Sequence, residues 1–112
     1  MNIEKSLNLI DLKNKLENSK NNNLVIFYAD WCPYCIKNIP FIKKVLEKNN
    51  FNGALFVDIS DDDLDVWAET GNIEWAIELV PTVRVYNNKK IIFDHKNVID
   101  ENKLLEAINL CK

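Results

Sequence analysis

The clearest signal in the pattern of apolar and polar positions is LVIFYA, residues 24–29. It is an unbroken apolar and aromatic run between the polar stretch NSKNNN (18–23) and the cysteine-bearing stretch DWCPYC (30–35). A strand with one wet face alternates, so a continuous run predicts a central strand covered on both faces. ALFVDIS at 54–60 reads as a second buried strand, and SLNLI at 6–10 as a short first one. TVRVY (82–86) and KIIFDH (90–95) predict two more, joined through Asn87 and Asn88, a pair suited to the left-handed backbone of a tight hairpin.

Helical spacing fills the gaps between these runs. Asp11 is placed to cap a helix through Asn18 that buries Leu12 and Leu16. From Pro33 to Lys48 the residues Ile36, Ile39, Ile42, Val45 and Leu46 recur along one helical face. DDDLDVWAETG (61–71) reads as a helix ended by Gly71, and NIEWAIELV (72–80) as a further short helical turn before Pro81. Asp100 caps a last amphipathic helix, ENKLLEAINLCK. The order βαβαβαββα, with no repeat or linker, predicts one α/β domain over residues 1–112, a central mixed sheet flanked by helices.

Composition narrows the function classes. A chain of 112 residues with 47% hydrophobic content can pack a core without disulfides or a structural metal. Seventeen acids against fourteen bases leave a net charge of −3, which speaks against nucleic acid and against an anionic membrane surface. The bias towards Asn and Lys, with Arg84 alone among the arginines, carries no functional reading. Three cysteines, an odd number, do not make the stapled framework of a secreted domain. No leader-like segment opens the chain and no run of eighteen apolar residues occurs, so a soluble, cytoplasmic monomer is expected.

The candidate chemistry lies at residues 30–40. A cysteine attacks as thiolate, and Cys32 falls where a strand ends and a helix begins. There, unpaired N–H groups and the positive end of the dipole should lower its pKa. Pro33 suits the first helical turn, where its missing N–H costs nothing. Cys35 follows one turn along on the same face, within reach of a disulfide. The pair reads as an attacking thiol, Cys32, and a resolving thiol, Cys35. Half of a zinc site is the rival metal reading, but only His95 and Cys111 remain as further ligands, in separate elements. Inert packing is the other, opposed by Trp31 and Tyr34, which place the cysteines in a turn.

YADWCPYC after an apolar strand, Pro40 five residues beyond Cys35, and Val80-Pro81-Thr82 opening a later strand together resemble the thioredoxin family. The resemblance spans essentially the whole chain and implies the thioredoxin fold. It also implies thiol–disulfide oxidoreductase activity on protein disulfides through a Cys32/Cys35 redox-active disulfide, with no bound cofactor or metal. Electrons would come from a reductase or a low-molecular-weight thiol. Pro81 matches the family's cis proline, which faces the thiols, keeps the groove open and excludes metal. Val80 matches the residue that offers its backbone to substrate, Trp31 shapes the apolar collar, and Pro40 matches a helix-kinking proline.

Departures from the family pattern are informative. Ile26 stands where many members bury an acid, and Phe56 or a neighbour replaces the accompanying lysine. Slow resolution by Cys35 is therefore expected. Pro33-Tyr34 is the glutaredoxin dipeptide, and Asn97 or a neighbour replaces a groove glycine. A glutathione-dependent, glutaredoxin-like reductase and a non-catalytic redox-sensing binding module are the alternatives. His95 reads as a strand-end surface residue, Cys111 as a packing residue, Trp67 and Trp75 as helical core or rim aromatics, and Asp61 to Asp63 as solvated acids.

Overall fold

Strand β2 (Asn22–Tyr28) runs through the middle of a five-stranded sheet in a computed structural model that describes residues 6–112. What was inferred for the first five residues, including the lack of a leader, lies outside the described residues. The other elements are β1 (Ser6–Leu7), α1 (Leu9–Glu17), α2 (Pro33–Lys48), β3 (Leu55–Asp58), β4 (Thr82–Asn87), β5 (Lys90–Lys96) and α3 (Glu101–Leu110). Sheet order is β1-β3-β2-β4-β5. β3 lies parallel to both β1 and β2, while β4 is antiparallel to β2 and to β5. The sheet is thus mixed and flanked by helices, as the pattern of apolar runs predicts.

The continuous apolar run has the expected consequence: Leu24 through Ala29 are all buried. Leu12 and Leu16 of α1, Ile39, Ile42 and Leu46 of α2, and Leu104 and Ile108 of α3 complete the core around it. Helix α2 continues through Pro40 to Lys48, so that proline does not end it. Ile36 departs from the expected helical face and is exposed. Cys35, Asn38, Ile39 and Ile42 face inward, and Ile36 follows Cys35 by one step of the helix.

Several boundaries differ from the sequence expectation for local reasons. Asn8, not Asp11, caps α1: its Oδ1 accepts the Asp11 N–H at 2.8 Å. The early cap shortens the first strand to two residues. The hairpin turn lies at Asn88 and Lys89, with Asn88 alone in the left-handed region at φ 57°. Asp100 caps α3 by accepting from the N–H groups of Asn102 and Lys103.

The largest correction concerns residues 61–80. Neither expected helix forms beyond one 3-10 turn at Ala68–Thr70, closed by Gly71 at φ 93°. Asp61 captures the Asp63 N–H with its own side chain, a local bond that competes with helix. Asn72 accepts from the N–H groups of Trp75 and Ala76 and donates to the Asp65 carbonyl, folding the segment on itself. Trp67 and Ile77 then pair as a parallel bridge. Trp67 and Trp75 accordingly lie in irregular chain.

Arg84 holds this segment to the sheet, a role that the alternating pattern of TVRVY did not reveal. It is 2% exposed, donates to the carbonyls of Trp75 and Ala76 and to Tyr86 Oη, and pairs with Asp94 at 3.4 Å. Its guanidinium lies 5.6 Å from the Phe27 ring centroid, beside the Phe27–Trp75–Tyr86 aromatic cluster. Replacing Arg84 by Met leaves two carbonyls without a donor and should destabilise the fold by about 3 kcal/mol in urea unfolding. Arg84→Lys, a point charge without the planar fork, should recover only part of that loss.

Candidate active site

The end of β2 delivers Cys32 to the start of α2, where it is the N-cap residue in extended conformation. The Cys35 N–H donates to Cys32 Sγ at 3.3 Å, and Cys32 Sγ donates to the Val80 carbonyl at 3.3 Å. Pro33 occupies the first helical position. Both cysteines are free thiols, the reduced state of the pair. The Val80–Pro81 peptide is cis, and Val80 is nearly buried against Cys32. The structure therefore brings Trp31, Cys32, Pro33, Tyr34, Cys35, Val80 and Pro81 to one end of the sheet.

Cys35 is fully buried beneath Cys32. Burial pushes its thiol up to about 12, helped by the neighbouring Cys32 and by Asp30, while a backbone hydrogen bond with Ala29 pulls the other way. Asp30 thus acts against ionisation of the second thiol. The acid that would relieve this is missing at Ile26 of β2, which pairs in register with apolar Phe56 on one side and apolar Val83 on the other.

Two positioning residues escaped the sequence reading. Ser60 accepts the Asp30 N–H through its hydroxyl at 2.7 Å and the Trp31 Nε1–H through its carbonyl at 3.0 Å, while its own hydroxyl donates to Asp58. Nothing in the chain near Ser60 announces this. Asn38 donates to the Tyr34 carbonyl at 2.7 Å and accepts the Ile99 N–H at 3.2 Å, tying α2 to the loop after β5. Its signal was present: a polar residue at a helical position between Cys35 and Ile42 on the inward face.

In that loop Asn97 adopts φ 80° and donates its N–H to the Pro81 carbonyl at 3.0 Å. Half-exposed Trp31, Tyr34, Leu79 and Val98 form an apolar rim around the two thiols. His95 accepts the Asp100 N–H through Nε2 and supports the start of α3. Cys111 caps the C-terminus of α3 near the start of β2, so the length of that strand separates it from Cys32. Burial pushes its thiol up to about 11. Among the described residues, no three His, Cys, Asp or Glu side chains gather as a metal-binding group.

The thioredoxin family profile matches residues 5–110. This chain belongs to the thioredoxin family. It is 28% identical over 93 residues to "Thioredoxin Y, chloroplastic" of Oryza sativa subsp. japonica, covering 83% of this chain and 52% of that protein. The chain thus spans about half the length of the curated relative it matches. Among solved structures it is similar to thioredoxin f2 of Chlamydomonas reinhardtii, with 27% identity, TM-score 0.66 and 94% of each chain covered. It is also similar to a reduced Schistosoma mansoni thioredoxin pre-protein, with 26% identity, TM-score 0.66, and 94% of this chain and 93% of that one covered. These likenesses establish the thioredoxin fold, with the irregular segment 61–80 in place of its expected third helix.

Within this thioredoxin-family site, Asn38→Leu removes the side-chain acceptor of the buried Ile99 N–H. A loss of about 1–3 kcal/mol in urea unfolding is expected, whereas Ser substitution of exposed Lys37 should change stability by under about 0.5 kcal/mol.

Proposed function

We propose that this chain is a thiol–disulfide oxidoreductase that reduces or exchanges disulfides in protein substrates. The observation that carries the reading is Cys32 at a helix N-cap, its sulfur held between the Cys35 N–H and the Val80 carbonyl. Cys32 as thiolate attacks one sulfur of the substrate disulfide, and the other substrate sulfur leaves as a thiol after taking up a proton. Cys35 then loses its proton and attacks Cys32 Sγ, releasing the second substrate thiol and closing Cys32–Cys35. Two electrons pass to the substrate, and a reductase or low-molecular-weight thiol returns them to the protein.

The remaining site residues take supporting roles. Pro33 and Tyr34 set the turn, Trp31 and Tyr34 contribute the apolar collar, and Val80 beside Pro81 presents backbone to an extended substrate segment. No bound cofactor or metal enters this cycle. A reducing compartment, the cytoplasm, and a monomeric state suit an odd number of thiols with Cys111 partly buried.

Insulin reduction driven by dithiothreitol tests the reading. Turnover should survive Cys111→Ser and vanish in Cys32→Ser, and a Cys111→Ser redox titration should give a reversible two-electron couple between about −200 and −270 mV. Stoichiometric oxidation without turnover would overturn it.

The buried second thiol gives a pH signature. Its raised pKa keeps Cys35 protonated at neutral pH, so the reactive fraction grows about tenfold per pH unit up to the region of 12. Stopped-flow breakdown of a preformed Cys32 mixed disulfide should be slow at pH 7 and accelerate by about that factor per unit up to pH 9. A flat profile over this range would contradict the assignment of Cys35 as the rate-limiting thiol.

A further inference from the structure

The groove around Cys32 has two unlike walls. On one side, Tyr34, Lys37, Asn38, Phe41, Val98 and Ile99 line a largely apolar depression of about 340 Å³. On the other, Trp31, Trp67, Glu69, Thr70 and Glu78 line a depression of about 300 Å³. In the second, the Trp31 and Trp67 ring centroids are 6.1 Å apart, and two exposed carboxylates stand at the mouth. Glu78 is paired with Lys96 at 2.7 Å, whereas Glu69 has no ion pair with a described residue.

The charge of this wall is not a sample of the whole chain. Residues 58–80 hold eight carboxylates and no Lys, Arg or His, leaving nine acids against fourteen bases elsewhere. Negative charge is therefore concentrated in one segment. That segment is bonded to the active-site turn through Ser60 and ends at Val80 beside the nucleophile.

Accessible aromatic faces beside exposed carboxylates, of which Glu69 has no ion pair with a described residue, complement a cation on a flexible apolar stem, which is Lys or Arg. We infer that the wall formed by Trp31, Trp67, Glu69 and Glu78 selects protein substrates that carry Lys or Arg beside the cysteine under attack. This rests on the oxidoreductase reading and adds the substrate class to it. Because the carboxylates are exposed, the preference acts mainly on encounter and should weaken with salt.

The test uses three disulfide peptides of equal length, flanked by Lys and Arg, by Ser and Gly, or by Glu. Second-order reduction rates are measured with the reduced protein at low and high ionic strength. At about 20 mM salt the cationic peptide should react about tenfold faster than the acidic one, and at about 500 mM the ratio should approach one. Glu69→Gln with Glu78→Gln should lower the low-salt ratio several-fold. Equal rates for all three peptides at low salt would overturn the inference while leaving the oxidoreductase reading intact.

A second arm separates docking from chemistry. Cysteine-free versions of the peptides are titrated into the Cys32→Ser/Cys35→Ser protein and followed by tryptophan fluorescence. Tighter binding of the cationic peptide supports the inference even if no peptide is reduced, in which case the oxidoreductase reading alone fails. If no peptide is reduced, indifference to peptide charge in this titration, or a preference for the acidic peptide, overturns the inference.

Discussion

Strand β2 has to be covered on both faces and paired on both edges, and the rest of the molecule follows from that requirement. Its side chains from Leu24 onward are apolar without relief, so water on either face would be unfavourable. β3 and β4 satisfy its hydrogen bonds from opposite sides, one parallel and one antiparallel. A strand so confined can lead only outward at its end, and it leads into Asp30, Trp31 and Cys32. The cysteine-bearing turn is thus fixed to the central strand of the sheet, while Trp31 and Tyr34 of the turn lie at the surface.

The other half of the groove is built on different physics. Residues 61–80 form almost no regular structure, and side chains replace the missing backbone ladder. Asn72 folds the segment, and Arg84 anchors it by donating to two of its carbonyls from inside the core. The buried guanidinium is stable there because its donors meet carbonyls, a phenol and a carboxylate, with an aromatic face beneath it. The conformation of the segment that ends at Val80 therefore depends on a residue on β4, pointing away from the thiols.

The sequence was most legible where one physical signal dominated. The buried strand, the helix start at Pro33, the cap at Asp100 and the closeness of Cys35 to Cys32 each follow from a strong local rule. The reading failed where local signals competed. Asp11 and Asn8 are both good caps, and the choice was made by which side chain reached an N–H three residues on. Residues 61–71 have helical spacing, but clustered Asp side chains and Asn72 offer the backbone other partners. Ser60, Asn38 and Arg84 act through bonds to residues far away in sequence, and only Asn38, polar on an inward helical face, left a local trace. Ile26 was legible as a missing acid, and the register with Phe56 and Val83 shows why its neighbours supply none.

In the proposed dithiol cycle, the burial of Cys35 would set how long this protein stays attached to a substrate. The covalent adduct persists until the second sulfur can ionise, and here that sulfur is buried, with the Asp30 carboxylate nearby and apolar Ile26 on the central strand. Adducts should therefore accumulate during the cycle. The unaltered protein would then serve as its own bait: brief acid quenching of a working mixture would preserve client chains still bonded to Cys32, and peptide mapping could read off which client cysteine was attacked.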